Sequence, residues 1–247
     1  MRLFGLIGYP LGHSFSASFF NEKFAKEGIE ARYRNYPLEQ LDDFPSLLEK
    51  EAALRGLNVT VPYKQEIIPY IHTLSRTADA IQAVNTISIN REKDSLHIKG
   101  DNTDVIGFRR SLEQHLKPHH RSALVLGTGG SSKAVRYVLG ELGIQYTMVS
   151  RSAGEGRLSY REIDKRMIAE IPIIINTTPL GMYPDVQTLP RIPYDALSPE
   201  HLLFDLVYNP PKTAFLQKGE SCRAKIVNGN DMLIYQALAS WDIWNDF

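Results

Sequence analysis

The sequence predicts an α/β protein of two domains, and three features carry that prediction. Short apolar, β-branched runs alternate with longer amphipathic ones, as strands do when helices cover them. A glycine-rich turn, Gly127-Thr128-Gly129-Gly130-Ser131-Ser132, sits between an apolar run and an amphipathic one. Ahead of that pair, the polar, proline-containing stretch Lys117-Pro118-His119-His120-Arg121 has the composition of a domain boundary.

Leu3–Ile7 reads as a buried strand, Ser16–Glu27 as a helix ended at Gly28, Ala31–Tyr36 as a second strand and Asp42–Lys50 as a helix. Gly56–Val61 is a third strand stopped by Pro62, Thr86–Ile89 and Ser95–Lys99 are paired strands around a polar turn, and Asp104–Leu116 is a helix. Beyond the boundary, Ser122–Leu126, Gln145–Ser150, Ile171–Asn176, Leu202–Val207 and Ala224–Val227 are five strand candidates of a parallel sheet. The last helix, Met232–Trp244, repeats apolar residues at Leu233, Ala237, Leu238, Trp241 and Trp244, a packing face that the first domain could cover.

With 247 residues, 43% of them hydrophobic and 23% charged, the chain is long enough for one large core or two modest ones. Its 28 basic residues balance 28 acidic ones, so no global field draws in nucleic acid or an anionic membrane, and a small molecule is the expected partner. The lone Cys222 rules out an intramolecular disulfide and has no metal-ligand spacing around it, so no metal and a cytoplasmic location are expected. In the opening MRLFGLIGYPLG the apolar run is broken by Gly8, Pro10, Gly12 and His13, which fits a strand and loop rather than a signal peptide or membrane span.

The glycine turn follows Ala123-Leu124-Val125-Leu126 and opens the run Ala134-Val135-Val138-Leu139-Leu142. In that context it is a variant of the dinucleotide fingerprint of a Rossmann-type, doubly wound domain. Gly127 permits the tight turn, Gly129 lets a pyrophosphate approach the backbone, and the helix start offers free amides; a purely structural glycine turn is the alternative. At the end of the next strand an acid would hydrogen-bond the ribose of NAD, but here stands Ser150-Arg151-Ser152, suited to the 2′-phosphate of NADP unless Arg151 is simply solvated.

The first domain has a polar cluster of its own. Ser14 and Ser16 flank Phe15 after the first strand, where hydroxyls could hold a carboxylate, although Ser16 also suits a helix cap. Asn58-Val59-Thr60-Val61-Pro62-Tyr63-Lys64 sets polar groups at a strand's carboxyl end, the place where open α/β sheets bind ligands. Ala83-Val84-Asn85-Thr86 and Gly100-Asp101-Asn102-Thr103-Asp104 add amides, hydroxyls and carboxylates, with Asn102, Thr103 or Asp104 able to cap the following helix instead.

These blocks resemble the shikimate dehydrogenase family in the same order over nearly the whole chain: GYPLGHSFS, NVTVPYK, AVNT, GDNTD, GTGGSSKA, SRS, NTTPLGM, DLVYNP and MLIYQA. The resemblance implies a substrate domain in two pieces, 1–103 and 229–247, around an NADP domain at 104–228, with the active site in the cleft between them. It implies Lys64 and Asp104 as the catalytic pair, and Ser14, Ser16, Thr60, Asn85, Tyr208 and Gln236 around the substrate. Gly127, Gly129, Gly130, Ser131 and Ser132 would cradle the pyrophosphate, and Ser150 and Arg151 would meet the adenosine phosphate. Asn176, Thr177, Thr178, Met182 and Gly229 would lie near the ribose and nicotinamide. The implied activity is reversible NADPH-dependent reduction of 3-dehydroshikimate to shikimate, in chorismate and aromatic amino acid biosynthesis, by a monomer or homodimer.

The sequence departs from the family pattern in three places. Phe15 and Ala17 replace the Lys and Pro of SKSP; NRTxxR appears as SRSAGEG, with Gly154 read at the second arginine and Arg157 as a candidate substitute; GLGML appears as GNDML. Weaker selection against NAD is the expected consequence of the second. Three other readings compete: a quinate/shikimate dehydrogenase with relaxed NAD or NADP use, a methylenetetrahydrofolate dehydrogenase-like enzyme, for which no matching block is present, and a non-catalytic metabolite sensor on the same scaffold. Intact Lys64 and Asp104 argue against the sensor.

Overall fold

The computed structural model describes residues 1–12, 15–92 and 95–246, and the chain divides into two compact units, Met1–Thr103 with Ala237–Phe247, and Asp104–Gln236. The first contains β1 (Arg2–Gly8), α1 (Phe15–Glu27), β2 (Ala31–Pro37), α2 (Phe44–Lys50), β3 (Leu54–Val59), β4 (Thr73–Leu74), α3 (Arg76–Ile81), β5 (Thr86–Glu92) and β6 (Ser95–Asp101). Its strands form one mixed sheet in the order β2-β1-β3-β5-β6-β4. The mixture follows from the connections: α1 and α2 return the chain so that β2 and β3 both run parallel to β1, while β5 runs antiparallel to its neighbours β3 and β6.

Because successive strand residues face opposite sides, β1 feeds two cores. Leu3 and Ile7 join Phe44, Leu54, Leu57 and Ile87 on one side, and Phe4 and Leu6 join Phe20, Phe24, Tyr33, Trp241 and Trp244 on the other. In the second core Phe20 stacks on Tyr33 and Phe4 on Trp244, each pair with ring centroids 4.8 Å apart. Burying each such ring stabilises the unit by about 2–3 kcal/mol before entropy is counted. Trp244 Nε1 donates to the Ile87 carbonyl at 2.9 Å, reaching across Gly56, where any side chain would collide with the indole.

The second unit contains α4 (Asp104–Glu113), β7 (Ser122–Leu126), α5 (Gly130–Glu141), β8 (Gln145–Ser150), β9 (Arg157–Ser159), α6 (Lys165–Glu170), β10 (Ile173–Asn176), β11 (Leu202–Asp205), α7 (Ala214–Ser221), β12 (Lys225–Val227) and the start of α8 (Asn230–Asp246). Its sheet is parallel throughout, in the order β12-β11-β10-β7-β8-β9. That order winds outward in both directions from β7, the doubly wound arrangement that the glycine turn predicts. The central strands are covered on both faces, so Ile173, Ile174 and Ile175 are fully buried as a continuous run. From Ala237 onward α8 belongs to the first unit, where Ala237, Trp241 and Trp244 enter its aromatic core.

Several elements differ from the sequence expectation. β4, with two residues, and β9, with three, are too short to carry a period, and the six-residue helices α3 and α6 are likewise unforeseen. The helix expected from Asp42 starts at Phe44 after a 3₁₀ turn at Leu41–Asp43, and the one expected to reach Leu116 ends at Glu113. Among the described residues, no helix is long and apolar enough to cross a membrane.

Candidate active site

In the first unit, the carboxyl end of β3 leads into a turn held by its own backbone. Thr60 N donates to the Ile7 carbonyl at 2.9 Å, Tyr63 N to Thr60 O at 2.9 Å and Ile67 N to Tyr63 O at 3.0 Å. Lys64 is half-buried in this turn, and its carbonyl accepts from Val84 N at 2.7 Å. The next residue, Asn85, is a hub. Its amide donates to the Asp101 carbonyl at 3.0 Å, its carbonyl accepts from Val59 N at 2.9 Å, and its Oδ1 accepts from Thr103 N at 2.7 Å and Thr86 Oγ1 at 3.0 Å. With Oδ1 occupied, the carboxamide can offer a ligand only N–H donors.

Beneath this hub lies a buried network of neutral polar groups. Tyr33 Oη donates to Asn58 Oδ1 at 2.8 Å, and Asn58 Nδ2 donates to Ser240 Oγ at 3.0 Å and to the Asn85 carbonyl at 3.2 Å. Ser240 Oγ lies 2.8 Å from Thr86 Oγ1 and 3.1 Å from Thr103 Oγ1. Burial pushes the Tyr33 phenol well above its ordinary range, and a hydrogen bond from Ser16 offsets part of that shift, so Ser16 lies at the edge of the network. Ser14 lies outside the described residues. Asn102 ties back to the Ala83 carbonyl at 3.0 Å.

In the second unit, Asp104 is the first residue of α4 and is 8% exposed. One turn on, Gly107 lets α4 approach the start of α8 so closely that a methyl group there would lie 2.5 Å from the Met232 carbonyl oxygen and 3.0 Å from Gln236 Cβ. Residues three apart share a helix face, so Asp104 and Gln236 border the same junction. Gln236 is half-buried, with Nε2 donating to the Leu233 carbonyl at 2.9 Å. Tyr208 follows β11 and is 40% exposed, and Met182 is 46% exposed.

The glycine turn joins β7 to α5. Gly127 has φ +111°, and a Cβ on it would sit 2.7 Å from Thr177 Oγ1 and 2.9 Å from Thr178 Cγ2. A Cβ on Gly129 or Gly130 would meet nothing within 4 Å, so the backbone is open to a ligand where α5 begins. Ser132 closes the turn, its hydroxyl donating to the Gly129 carbonyl at 2.7 Å. This is the arrangement that a pyrophosphate needs: a tight turn, an uncovered backbone and the positive end of a helix.

Asn176, at the end of β10, is fully buried with its carboxamide used inside the protein. Its Oδ1 accepts from Thr178 Oγ1 at 2.6 Å and Thr178 N at 3.1 Å, and its Nδ2 donates to Asp205 Oδ1 at 2.9 Å. It therefore sets the course of Thr178, while Thr177 is held by the Leu126 carbonyl, to which its N–H donates at 2.9 Å and its hydroxyl at 2.8 Å. Asp205 also accepts from Val207 N at 3.0 Å and Thr213 Oγ1 at 2.5 Å, yet burial outweighs these bonds and pushes its carboxyl up to about 6. Gly229 passes so close to the Leu206 carbonyl that no side chain fits there.

Ser150 ends β8 with its hydroxyl donating to the Ser152 carbonyl at 2.5 Å, and Arg151 beside it is exposed. Laid residue by residue over NRTxxR from Ser150, the second arginine falls on Glu155, one residue beyond Gly154. A carboxylate therefore stands where the clamp's second cation is expected. Several contributors to these networks are absent from the sequence-based set of site residues, among them Tyr33 on β2, Ser240, alone on a helix, and Asp205, inside the DLVYNP block.

A doubly wound unit with a dinucleotide-type glycine turn, joined to a smaller mixed α/β unit with polar strand ends of its own, has the architecture of a two-domain dinucleotide-binding enzyme. The family model for the shikimate dehydrogenase substrate binding domain matches residues 6–87. A shikimate dehydrogenase (NADP(+)) of Caldicellulosiruptor saccharolyticus is 35% identical over 100% of this chain and 93% of its own length. The structure of the Thermus thermophilus shikimate 5-dehydrogenase in complex with NADP(H) and shikimate has 27% identity and a TM-score of 0.86, covering 100% of this chain and 94% of that one. Quinate dehydrogenase from Corynebacterium glutamicum, in complex with NAD, has 28% identity and a TM-score of 0.87 over the same shares. The chain belongs to the shikimate dehydrogenase family.

Proposed function

We propose that this protein catalyses the reversible NADPH-dependent reduction of 3-dehydroshikimate to shikimate, with Lys64 and Asp104 as its acid–base pair, in the cytoplasm and in the service of chorismate and aromatic amino acid biosynthesis. The observation that carries this reading is the Asn85 hub. It draws together three sequence blocks: Asn58 and Val59 of NVTVPYK bond to its carbonyl, Val84 beside it holds the Lys64 carbonyl, and Thr103, the residue before Asp104, bonds to its side chain.

Bound NADPH supplies the hydride that reduces the C3 carbonyl. As the carbonyl gains electrons, negative charge develops on its oxygen, and Lys64 donates a proton there; in the oxidation direction the same amine takes the proton back. Lys64 thus serves as acid in reduction and as base in oxidation, with Asp104 as the second member of the pair. Asp104 orients the ammonium and accepts from a substrate hydroxyl. Ser14, Ser16, Thr60, Asn85, Tyr208 and Gln236 are all hydrogen-bond donors suited to a carboxylate and a ring of hydroxyls.

The glycine turn fits the pyrophosphate through Gly127, Gly129, Gly130, Ser131 and Ser132, and Ser150 and Arg151 serve the adenosine phosphate. Asn176, Thr177, Thr178, Met182 and Gly229 serve the ribose and nicotinamide, Asn176 by fixing Thr178. In this reading residues 1–103 and 229–247 form the substrate domain, 104–228 the NADP domain, and the protein works as a monomer or homodimer.

The test is the absorbance of reduced nicotinamide during oxidation of shikimate and quinate, each with NADP and with NAD. Shikimate with NADP should give the highest kcat/KM. A preference for quinate would move the substrate assignment to the quinate enzyme, and no signal in any combination would leave a non-catalytic sensor as the surviving reading.

A further inference from the structure

A cavity of about 770 Å³ lies wholly within the second unit, lined by Arg151 after β8, Tyr160 and Arg161 after β9, and Pro190, Arg191 and Tyr194 from the segment between β10 and β11. Arg151, Tyr160 and Arg161 all follow the carboxyl ends of parallel strands, the side on which open α/β sheets bind ligands. The volume falls in the range of small-molecule sites. Its tyrosine and proline walls suit a flat ring. The Tyr160 Oη is buried without a hydrogen-bond partner among the described residues, whereas Tyr194 Oη donates to the Pro190 carbonyl at 2.7 Å. Arg151, Arg161 and Arg191 are all exposed, and no carboxylate among the described residues neutralises them.

Three unneutralised guanidiniums around one cavity call for a multiply charged anion, and two tyrosines and a proline call for an aromatic ring beside it. Resting on the dinucleotide-dependent reading above, we infer that this cavity seats the 2′-phosphorylated adenosine end of the cofactor, and that Arg161 and Arg191 are specificity-determining residues that replace the clamp arginine displaced by Glu155. Arg157, the candidate substitute nearest in sequence, folds over Gly154 instead: a methyl on that glycine would lie 2.9 Å from Arg157 Nε. Arg161 and Arg191 approach from two separate segments, so they can bracket a phosphate whose third ligand is Arg151 and offset the repulsion of Glu155.

The experiment compares adenosine 2′,5′-bisphosphate with adenosine 5′-monophosphate by calorimetric binding to the full chain, as wild type, Arg161→Ala, Arg191→Ala and the double variant. Both arginines are exposed and unpaired, so the substitutions remove no core packing. The wild type should prefer the bisphosphate by about a hundredfold, each single variant should lose about tenfold of that preference, and the double variant should lose nearly all of it while binding the monophosphate as before. Steady-state KM should rise for NADPH and not for NADH. A double variant that keeps its preference within twofold overturns the inference, as does a wild type with no preference. A wild type that prefers the bisphosphate through these arginines but oxidises neither shikimate nor quinate supports the inference and sinks the proposed activity alone.

Discussion

The two units organise polar groups at their strand ends in opposite ways. In the first, side chains do the work: Asn58, Asn85, Thr86, Thr103 and Ser240 bond to one another in a buried, fully neutral network beneath the turn that carries Lys64. In the second, the turn after β7 works through the backbone: Gly129 and Gly130 stand uncovered at the start of α5, while side chains around Asn176 and Asp205 brace the ends of β10 and β11. A side-chain network recognises the pattern of hydroxyls and carboxylate on one ligand, since every donor has a fixed direction. A bare backbone turn recognises a pyrophosphate, which is common to many ligands, and leaves selectivity to side chains farther out.

The sharpest separation of the two roles comes from Lys64→Ala, which should lower kcat by about a hundredfold or more while leaving the NADPH dissociation constant near its wild-type value. Single-turnover kinetics with a parallel cofactor titration checks it, and lost cofactor binding with normal turnover at saturation would reverse the assignment of the two sites. Gly127→Ala should do the converse. At φ +111° and with Thr177 and Thr178 within 3 Å of the added methyl, it should cost about 2–4 kcal/mol of stability and weaken NADPH before it affects the substrate. Thermal unfolding with and without NADPH measures both, and an unshifted midpoint would show that the turn relaxes freely.

The same contrast explains what can be read from the chain alone. The glycine turn is legible because backbone geometry demands particular residues at consecutive positions, and together with the alternation of apolar runs it announces a doubly wound parallel sheet, though not the short edge strand β9. Lys64 and Asp104 are legible only through collinear resemblance, since a lysine and an aspartate taken singly fit a solvated surface and a helix cap equally well. Ser240 gives no signal at all: its partner Asn58 is 182 residues away, and one serine on an apolar helix face has no periodicity. Arg161 and Arg191 lie in segments with no regular pattern, and only the fold brings them to one cavity. The second position of the phosphate block is Glu155, where NRTxxR laid without a gap from Ser150 ends, and an offset of one residue hides that acid behind the neighbouring Gly154.

A buried acid also separates the units. Asp205 holds its proton to about pH 6 because burial outweighs its hydrogen bonds, whereas an unfolded aspartate titrates near 3.9. The folded state thus binds the proton over a pH range in which the unfolded state has lost it. The corresponding stability is fully present below about pH 4 and is lost as pH rises through 6, a decline of about 2–3 kcal/mol. Asp205→Asn should flatten this slope in apparent melting temperature measured between pH 4 and 7. Curves for variant and wild type that run parallel would mean that the carboxyl titrates normally, and that the second unit's strand ends are as insensitive to pH as the first unit's amides and hydroxyls.

The smallest effect tests whether the neutral network positions the site or merely fills the core. Ser240→Ala removes one hydroxyl and leaves Asn58 Nδ2 with its longer bonds to Asn85 O at 3.2 Å and Thr86 Oγ1 at 3.3 Å, so the loss should be about 1–2 kcal/mol of stability. A purely structural hydroxyl would stop there. If the network holds Thr103 and Asn85 in place, loosening it should also raise KM for shikimate several-fold with a smaller change in kcat and none in KM for NADPH, because the glycine turn shares none of these bonds. Ser240→Thr, which keeps the hydroxyl, should restore the substrate KM toward wild type even if its extra methyl lowers stability. Equal changes in both Michaelis constants would place the effect in global loosening and remove the distinction between a side-chain site and a backbone site.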